Sequence, residues 1–428
     1  MKLSIDAFNI SLEHGTGVAT YGRNLAAAAA GLGHDVGVVF GAKAGHSKVP
    51  LLNEIALVEG DPMKAQKPSP LALTRATGQA IHGALRHRSA HNVSLSGQVI
   101  LPSSLQLACT HYWNVRDLYR TSNAMFHVTG AFTKVRLEGI NVAHWTYPLP
   151  ITIPGACNVY TLHDLVPLRL PYTTADRKRA YYDLCKRITD RADHILTVSE
   201  CSRRDIIEIL GVDENRVTNL YQSSDTGKML DGIGEDEIAR YIEGLLGVGM
   251  REYFLFFGAI EPKKNIARLL EAYLGSSSTT PLVIVGAPGW GGEKDVNLLK
   301  SLTSLDNRKR IIWLGYMPRE MLVMLIAGAR ATLFPSLYEG FGLPVLESLS
   351  LGTPVITSHT SSLPEVAGDA GLLVDPYDVR QIAAAIRKMD NDEGLRTDLG
   401  KQGRKQAARF SSEVYKGRLK TFYNSVGV

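Results

Sequence analysis

The second half of the chain alternates short apolar segments with helical patterns, and this alternation restricts the possible folds more than any other feature. Each segment is apolar at nearly every position. Strands of this kind are buried on both faces, which is typical of parallel sheets covered by helices. The sequence therefore predicts an α/β fold with a doubly wound parallel sheet. The predicted strands are residues 253–257, 282–285, 311–314, 331–334, 355–357 and 372–374.

The segment from residue 331 to 352 predicts a strand, a glycine-containing loop and a helix. Pro344 suits the first turn of a helix, and Gly352 suits its end. The first turn of a helix attracts phosphate or sugar hydroxyls because it has unpaired N–H groups and a partial positive charge. Gly340 and Gly342 lack side chains, so a ligand can approach these N–H groups closely.

Two glutamates flank this loop: Glu339 precedes the helix and Glu347 lies about one turn inside it. If both carboxylates face one crevice, each accepts hydrogen bonds from vicinal hydroxyls of a sugar or a ribose. Each residue alone also fits an ordinary role, either as an acid near a helix N-terminus or as a solvated glutamate. The stretch as a whole favours the binding role.

Two further loops of the second half carry candidate ligand contacts, because the loops after parallel strands share one rim of the sheet. Lys263 and Lys264 follow the first predicted strand. Two lysines at this place either neutralise a diphosphate leaving group or form a solvated basic turn. Tyr316 lies in the loop after the third predicted strand.

The first half begins with a predicted strand at residues 2–6 and a glycine turn before a helix that runs to Leu32. Gly15 and Gly17 in this turn fit contact between backbone N–H groups and a diphosphate. They also fit the glycine fingerprint of a dinucleotide-binding fold, but the third glycine of that fingerprint is missing. The acid expected at the end of the next strand, residues 35–40, is missing too. The turn by itself is therefore weak evidence for either site.

Three histidines of the first half are candidate ligand contacts. His163 and Asp164 follow a predicted strand, at the end where open α/β sheets bind ligands. A histidine in that position is also often a hydrogen-bonded structural residue. His111 and His144 lie beside aromatic residues and are candidates for the acceptor side. Predicted strands of this region are residues 124–128, 141–144, 158–161 and 194–198.

The region from residue 42 to 122 has no clear periodicity and contains basic residues with few acids among them. It is either a solvated insertion or a basic face that meets anionic lipid headgroups near a membrane-held acceptor. The net charge of +5 permits a negatively charged ligand and does not require nucleic acid. The basic residues are Lys64, Lys67, Arg75, Arg86 and Arg88.

The stretch 334–347 resembles the E-x7-E motif of retaining glycosyltransferases with the GT-B fold, in glycosyltransferase family four. The resemblance continues through residues 351–356, 363–366 and 371–376. It implies two Rossmann-like domains, each with a doubly wound parallel sheet, and a cleft between them. The domains implied are an acceptor-binding domain at residues 1–222, a nucleotide-sugar-binding domain at 223–409, and a C-terminal helix, 410–428, that packs back on the first.

The resemblance also implies roles for individual residues. Glu339, His163 and Lys264 match the catalytic positions of the family. Ala259 stands where the family usually has an arginine, so Lys263 is the candidate for the second positive charge. The donor-binding residues implied are Gly17, Lys263, Lys264, Tyr316, Gly340, Phe341, Gly342, Leu343 and Glu347.

The implied reaction transfers a sugar from a nucleotide donor to a glycan or lipid-linked acceptor with retention of the anomeric configuration. Residues 162–167 and 261–265 look most like those of bacterial mannosyltransferases of surface-polysaccharide assembly, which makes GDP-mannose the first choice of donor. UDP-glucose and a dTDP-deoxysugar are the alternatives. An NAD-dependent oxidoreductase and a non-catalytic sugar-binding protein are the alternatives of another class.

No cofactor and no metal are expected. The only Asp-x-Asp sequence, at residues 390–392, follows an amphipathic helix and predicts a turn. The chain has no apolar run of the ~20 residues that span a bilayer and no secretory signal pattern. Its four cysteines are scattered, which is typical of a reducing compartment. The sequence therefore predicts a cytoplasmic enzyme, placed at the inner face of the membrane if the basic region contacts lipid.

Overall fold

The computed structural model describes residues 1–11, 17–58, 87–102, 105–305 and 310–427. The strands are β1 Lys2–Asp6, β2 Asp35–Phe40, β3 Arg88–Ser89, β4 His91–Asn92, β5 His111–Asn114, β6 Thr133–Arg136, β7 Val142–Trp145, β8 Ile151–Thr152, β9 Cys157–Thr161, β10 His194–Thr197, β11 Val217–Asn219, β12 Phe254–Phe257, β13 Leu282–Val285, β14 Ile311–Leu314, β15 Ala331–Phe334, β16 Val355–Ser358 and β17 Gly371–Val374.

The helices alternate with these strands over most of the chain. They are α1 Gly17–Gly31, α2 Pro50–Val58, α3 Leu118–Thr129, α4 Val166–Arg169, α5 Lys178–Arg191, α6 Glu200–Leu210, α7 Glu235–Leu246, α8 Ile266–Gly275, α9 Glu293–Leu305, α10 Arg319–Gly328, α11 Leu343–Leu351, α12 Leu363–Ala367, α13 Val379–Asn391, α14 Glu393–Ala408 and α15 Ser412–Ser425.

The first sheet has the strand order β11-β10-β9-β7-β1-β2-β5-β4 in the described chain. Its strands are parallel except for the antiparallel pair of β4 and β5. The order reverses between β1 and β7, and the carboxyl ends of these two strands lie side by side. Open α/β sheets bind ligands in the crevice at such a reversal.

The second sheet is wholly parallel and has the order β14-β13-β12-β15-β16-β17. Its order reverses between β12 and β15, so the loops after these two strands share one crevice. The parallel second sheet and the largely parallel first sheet, with helices on their faces, confirm the predicted doubly wound α/β class. The side chains of β12 and β15 are at most 3% exposed, and the rings of Phe256 and Phe334 stack with centroids 6.0 Å apart.

The predicted strand at residues 124–128 is wrong, because these residues lie inside helix α3. The helix buries residues at the helical spacing of three and four. These buried residues are Leu118, Tyr119, Ser122, Met125 and Phe126. The apolar run Ala124–Phe126 was too short to distinguish a strand from a buried helix face.

The Asp-x-Asp sequence does not form the predicted turn. Asp390 lies in the last turn of α13 and accepts hydrogen bonds from the hydroxyls of Ser278 at 2.6 Å and Thr280 at 2.7 Å, and it also pairs with Arg330. Asp392 caps α14 by accepting from the Leu395 N–H at 2.8 Å. Both carboxylates therefore hold structural elements in place.

The C-terminal helix α15 packs against α1 and the first sheet. Its Tyr423 hydroxyl lies 3.0 Å from Nε2 of His144, and its Phe422 ring lies 5.1 Å from the ring of His194. His144 is 1% exposed beneath this helix. The acceptor-side prediction for His144 is therefore wrong, because a side chain covered in this way has no access to an acceptor.

Burial gives His144 a specific effect on acid stability. It lowers the pKa of the imidazole from 6.5 to about 3. Between these values the unfolded chain binds the proton and the folded protein does not, so the stability falls as the pH drops below 6.5. We expect this group to remove about 2 kcal/mol of the free energy of unfolding between pH 7 and pH 5.

Urea unfolding of His144→Gln at both pH values tests this expectation. Glutamine keeps a polar partner for Tyr423 and does not titrate, so the variant should lose about 2 kcal/mol less than the native protein on acidification. His127→Gln, at an exposed position of α3, is the matched control for the replacement of a histidine by glutamine. If the stability of His144→Gln had the same pH dependence as that of the native protein, the effect assigned to His144 would be contradicted.

Candidate functional site

The loops after β12 and β15 are joined by main-chain and side-chain hydrogen bonds at the reversal of the second sheet. The Leu337 N–H donates to the carbonyl of Lys263 at 2.8 Å. The buried amide of Asn265 donates to the carbonyls of Pro335 at 3.0 Å and Pro376 at 2.7 Å. Asn265 has a φ of 62°, a left-handed conformation that asparagine tolerates well. These bonds fix the loop that carries the two predicted lysines.

Lys264 and Glu339 form an ion pair across this crevice. Nζ lies 2.6 Å from Oε1, and the side chains are 11% and 9% exposed. The ammonium also lies 4.8 Å from the centroid of the Phe334 ring, within the range of a cation–π contact. Burial alone would raise the pKa of Glu339, but the charges of Lys264 and Lys263 outweigh it and lower this pKa. Glu339 is therefore a charged acceptor at neutral pH.

Lys263 contributes a second positive charge to the same place. Burial opposes the charge of its ammonium group, but the carboxylates of Glu339, Asp164 and Glu261 outweigh burial and raise its pKa. The structure thus brings together the two lysines that the sequence proposed for a diphosphate.

Two serines hold the main chain around Glu339. Its N–H donates to Oγ of Ser361 at 3.1 Å, and its carbonyl accepts from the Ser362 hydroxyl at 2.9 Å. The Ser362 hydroxyl also lies 2.8 Å from the carbonyl oxygen of Phe341. Neither serine was predicted from the sequence, although their place after β16 puts them on the same rim as the other loops.

Glu347 lies in α11 with a side chain that is 8% exposed. Its Oε1 is 2.7 Å from the guanidinium of Arg319, which also donates to Oγ1 of Thr226 at 2.8 Å. Arg319, which was not predicted from the sequence, is the first residue of α10 and follows the loop after β14. The loop itself carries Tyr316, whose side chain is 66% exposed. Arg319 therefore positions the carboxylate that the sequence assigned to a ribose.

The first domain approaches this site at Gly340. A Cβ atom at this position would lie 2.7 Å from Oδ2 of Asp164 and 3.0 Å from the carbonyl oxygen of His163, so only glycine fits without a shift. Close by, a Cβ on Gly17 would lie 3.0 Å from a methyl carbon of Leu343. The N-terminal ends of α1 and α11 therefore lie together, and the first turn of a helix is a place that favours an anion.

His163 stands at the carboxyl end of the first sheet with a fixed orientation. Its Nε2 lies 2.9 Å from the carbonyl oxygen of Thr146, and its ring packs edge-on against Tyr21 with centroids 4.9 Å apart. Because a carbonyl only accepts, Nε2 carries a proton and donates it. Burial lowers the pKa of His163, although the Thr146 carbonyl and the Asp164 carboxylate oppose this effect. The imidazole is therefore neutral at neutral pH.

His111 does not belong to this group of residues. It is the first residue of the parallel strand β5, at the edge of the sheet opposite to the carboxyl ends. Its Nε2 lies 3.0 Å from Oδ2 of Asp35, and its ring stacks on Trp113. The acceptor-side prediction for His111 is therefore wrong, and the contacts give it a structural role.

Tyr338, next to Glu339, connects the two domains. Its hydroxyl donates to the carboxylate of Asp205 in α6, which Arg169 also holds, and it lies 3.2 Å from Sγ of Cys201. The loop that carries Glu339 is thereby tied to the first domain. We expect Tyr338→Phe to lower kcat about tenfold through misplacement of Glu339, with little change in donor binding.

Steady-state kinetics together with donor titration by thermal shift separate the two effects of Tyr338→Phe. Tyr182→Phe, at an exposed position of α5, is the matched control and should keep the native kcat. A Tyr338→Phe variant that lost donor affinity and kept its kcat would contradict the positioning role.

Two family models and a relative from Escherichia coli show which family the chain belongs to. The model of the glycosyl transferase 4-like domain matches residues 16–221, and the model of the glycosyl transferases group 1 matches residues 240–406. The O-antigen chain mannosyltransferase B of Escherichia coli is 39% identical over 263 residues, which are 60% of this chain and 67% of that protein. The chain belongs to glycosyltransferase family four.

A further curated relative is also a mannosyltransferase, and two solved structures share the fold. The serotype-specific mannosyltransferase WbdA of Escherichia coli is 31% identical over 260 residues, which are 59% of this glycosyltransferase and 31% of WbdA. Sucrose-phosphate synthase from Thermosynechococcus elongatus superposes with a TM-score of 0.68 at 17% identity, covering 100% of this chain and 99% of that one. Anabaena HepE in complex with UDP and glucose superposes with a TM-score of 0.64 at 15% identity. The match covers 99% of this chain and 100% of that one. The two structures confirm the GT-B fold.

Two predictions depend on parts of the chain that the structure does not describe. Lys64, Lys67, Arg75 and Arg86 of the proposed basic face lie outside the described residues, as does Gly15. Arg88 is described, and its guanidinium donates to the carbonyl of Arg116 at 2.9 Å. Within the described ranges, no helix combines the length and the apolar character that crossing a bilayer requires. Membrane contact stays a prediction.

Proposed function

We propose that this glycosyltransferase transfers mannose from GDP-mannose to a glycan acceptor of a cell-surface polysaccharide, with retention of the anomeric configuration and without a metal. The observation that carries the proposal is the buried Lys264–Glu339 pair, with Lys263 beside it and two helix N-termini close by. The choice of mannose rests on the relatives, which are an O-antigen chain mannosyltransferase and a serotype-specific mannosyltransferase.

The proposed reaction breaks the bond between the anomeric carbon and the diphosphate. The acceptor hydroxyl oxygen forms its bond on the same face of that carbon, and its proton passes to an oxygen of the leaving diphosphate. Lys263 and Lys264 offset the negative charge that grows on the leaving group. The N–H groups at the starts of α1 and α11 supply further partial positive charge without moving.

Glu339 and His163 have complementary roles in this proposal. The Glu339 carboxylate accepts hydrogen bonds from hydroxyls of the donor sugar, and its lowered pKa keeps it an acceptor throughout the neutral range. The neutral His163, held by Thr146, presents its other ring nitrogen to the sugar, where it stabilises positive charge that develops on the ring. Glu347 accepts from the ribose hydroxyls with its orientation fixed by Arg319.

Thermal shift with a panel of nucleotide sugars tests the choice of donor. A ligand at about 100 times its Kd adds about 2.7 kcal/mol to the free energy of unfolding, so GDP-mannose should raise Tm by several degrees. UDP-glucose, a dTDP-deoxysugar and NAD are expected to leave Tm unchanged, and EDTA should not alter the GDP-mannose shift. A shift with UDP-glucose instead would replace the proposed donor, and a shift with NAD alone would overturn the assignment to sugar transfer.

The stereochemical part of the proposal is tested on the product. An α-configured donor should give an α-linked mannose, and the coupling constant at the anomeric carbon distinguishes the two anomers. A β-linked product would contradict retention. The acceptor expected from the relatives is a growing glycan chain, either free or attached to a lipid carrier.

A further inference from the structure

A small cavity lies at the edge of the first sheet, outside the crevice that holds Lys264 and Glu339. Its volume is about 140 Å³, and its walls come from the loop after β2, from α2, from β4 and from the end of β5. It is smaller than the pockets that enclose whole drug-sized ligands and has room for one small ring. The polar residues that line it are His46, Asn53, His91, Asn114 and Arg116.

Two asparagines fix the walls of this cavity. Asn114 accepts from the Ala42 N–H at 2.9 Å and donates to the carbonyl of Ala44 at 3.2 Å. The Asn53 amide accepts from the N–H of Ser47 at 2.7 Å and donates to its carbonyl at 2.8 Å. The loop after β2 is thus tied to β5 on one side and to α2 on the other. A ligand would therefore meet walls that are already organised, which lowers the entropy cost of binding.

The groups that face solvent here are suited to a sugar ring. The imidazoles of His46 and His91 stack with centroids 4.9 Å apart at 20° and are exposed, which gives a flat surface for the apolar face of a ring. In the part of the chain that the structure describes, neither imidazole has a hydrogen-bond partner. Arg116 donates from Nε to the carbonyl of Lys43 at 3.2 Å. Its two terminal nitrogens have no hydrogen-bond acceptor among the described residues, so they can donate to hydroxyl oxygens. Among the described residues, none that lines the cavity is acidic.

The cavity lies on the same rim as the crevice but some distance from it. The loops after β2 and β5 follow the carboxyl ends of parallel strands, as does His163 after β9. In the order β9-β7-β1-β2-β5 these ends are separated by three to four strand spacings, roughly 14–19 Å. A single sugar cannot span this distance, whereas a chain of several sugar units can.

We propose that this cavity binds an inner hexose unit of the glycan acceptor while the acceptor's terminal hydroxyl reaches the crevice. The inference rests on the proposed function for the nature of the acceptor. It assigns His46, His91 and Arg116 to recognition of acceptor length. The proposed ligand is a neutral sugar unit, because one arginine does not provide the several cations that the proposed diphosphate site has.

Binding of fluorescently labelled mannose oligosaccharides tests the inference on the full chain. Anisotropy titration with a tetrasaccharide should show binding about tenfold weaker for His91→Ala and for Arg116→Ala than for the native protein. Binding of the labelled disaccharide, which is too short to span both places, should be unchanged in both variants. His127→Ala, at an exposed position of α3, is the control and should bind both as the native protein does. The Tm of each variant is measured to verify folding.

Several results would overturn the inference. These are equal losses for the two oligosaccharides, native affinity for the tetrasaccharide in both variants, and absence of tetrasaccharide binding to the native protein. Displacement of the tetrasaccharide from the native protein by inorganic phosphate would identify an anion site instead. The donor thermal shift is independent of these readouts, so failure of the subsite and failure of the proposed transfer activity are distinguishable.

Discussion

Alanine in place of Glu339 is expected to lower kcat/KM about a thousandfold. The Glu339 carboxylate is the proposed hydrogen-bond acceptor for hydroxyls of the donor sugar. Its removal also leaves the buried Lys264 ammonium without its partner at 2.6 Å. Lys264→Ala should cause a loss of the same order, because in the proposed reaction this lysine offsets the negative charge of the leaving diphosphate. Steady-state transfer from GDP-mannose measures both effects.

The controls for this pair are an exposed glutamate and the double variant. Glu271→Ala, at an exposed position of α8, should keep the native kcat/KM. The double variant should lose much less than the product of the two single losses, because the paired residues act as one unit. The Tm of each variant shows whether loss of activity comes from unfolding. Near-native turnover of both single variants would end the assignment of this site.

Gly340→Ala is expected to lower kcat/KM about a hundredfold while both domains stay folded. The added Cβ would lie 2.7 Å from Oδ2 of Asp164 and 3.0 Å from the His163 carbonyl. Contacts this short force the loop and the first domain apart, which moves Glu339 relative to His163. A displacement of about 1 Å at a reacting centre is enough for a loss of this size.

Gly244→Ala is the matched control for this substitution. Gly244 lies in α7, and a Cβ there would meet nothing within 4 Å. We expect native activity and a free energy of unfolding about 0.5–1 kcal/mol higher, because alanine is the better helix former. Full activity of Gly340→Ala would show that the close approach of the two domains is not needed for catalysis.

Much of the second domain was predictable because its signals are local. The bounds of β13, β14 and β15 agree with the predicted strands, and α11 ends at the predicted glycine stop, Gly352, with a φ of 76°. A strand buried on both faces needs apolar residues at successive positions, and a helix end needs a residue that tolerates a left-handed conformation. Each requirement is met by neighbouring residues.

The contacts that position the site were not predictable, because they join residues far apart in the chain. The Arg319–Glu347 pair and the Tyr338–Asp205 bond each link different elements, and nothing near either residue indicates its partner. The prediction for His144 failed for the same reason, since the helix that covers it begins at residue 412. The short apolar run inside α3 carried no periodicity from which to distinguish helix from strand.

The sequence by itself determined the parallel α/β architecture, the glycine loop between Glu339 and Glu347, and the lysines at 263 and 264. These follow from the alternation of residue types and from backbone conformations that only certain residues adopt. The tertiary structure alone decided that Lys264 pairs with Glu339, that Gly340 meets Asp164, and that His111 and His144 lie away from the site. The physical reason is that ion pairing and burial of side chains depend on which strand ends and helices become neighbours. The order of strands in a sheet cannot be predicted from any single segment of the sequence.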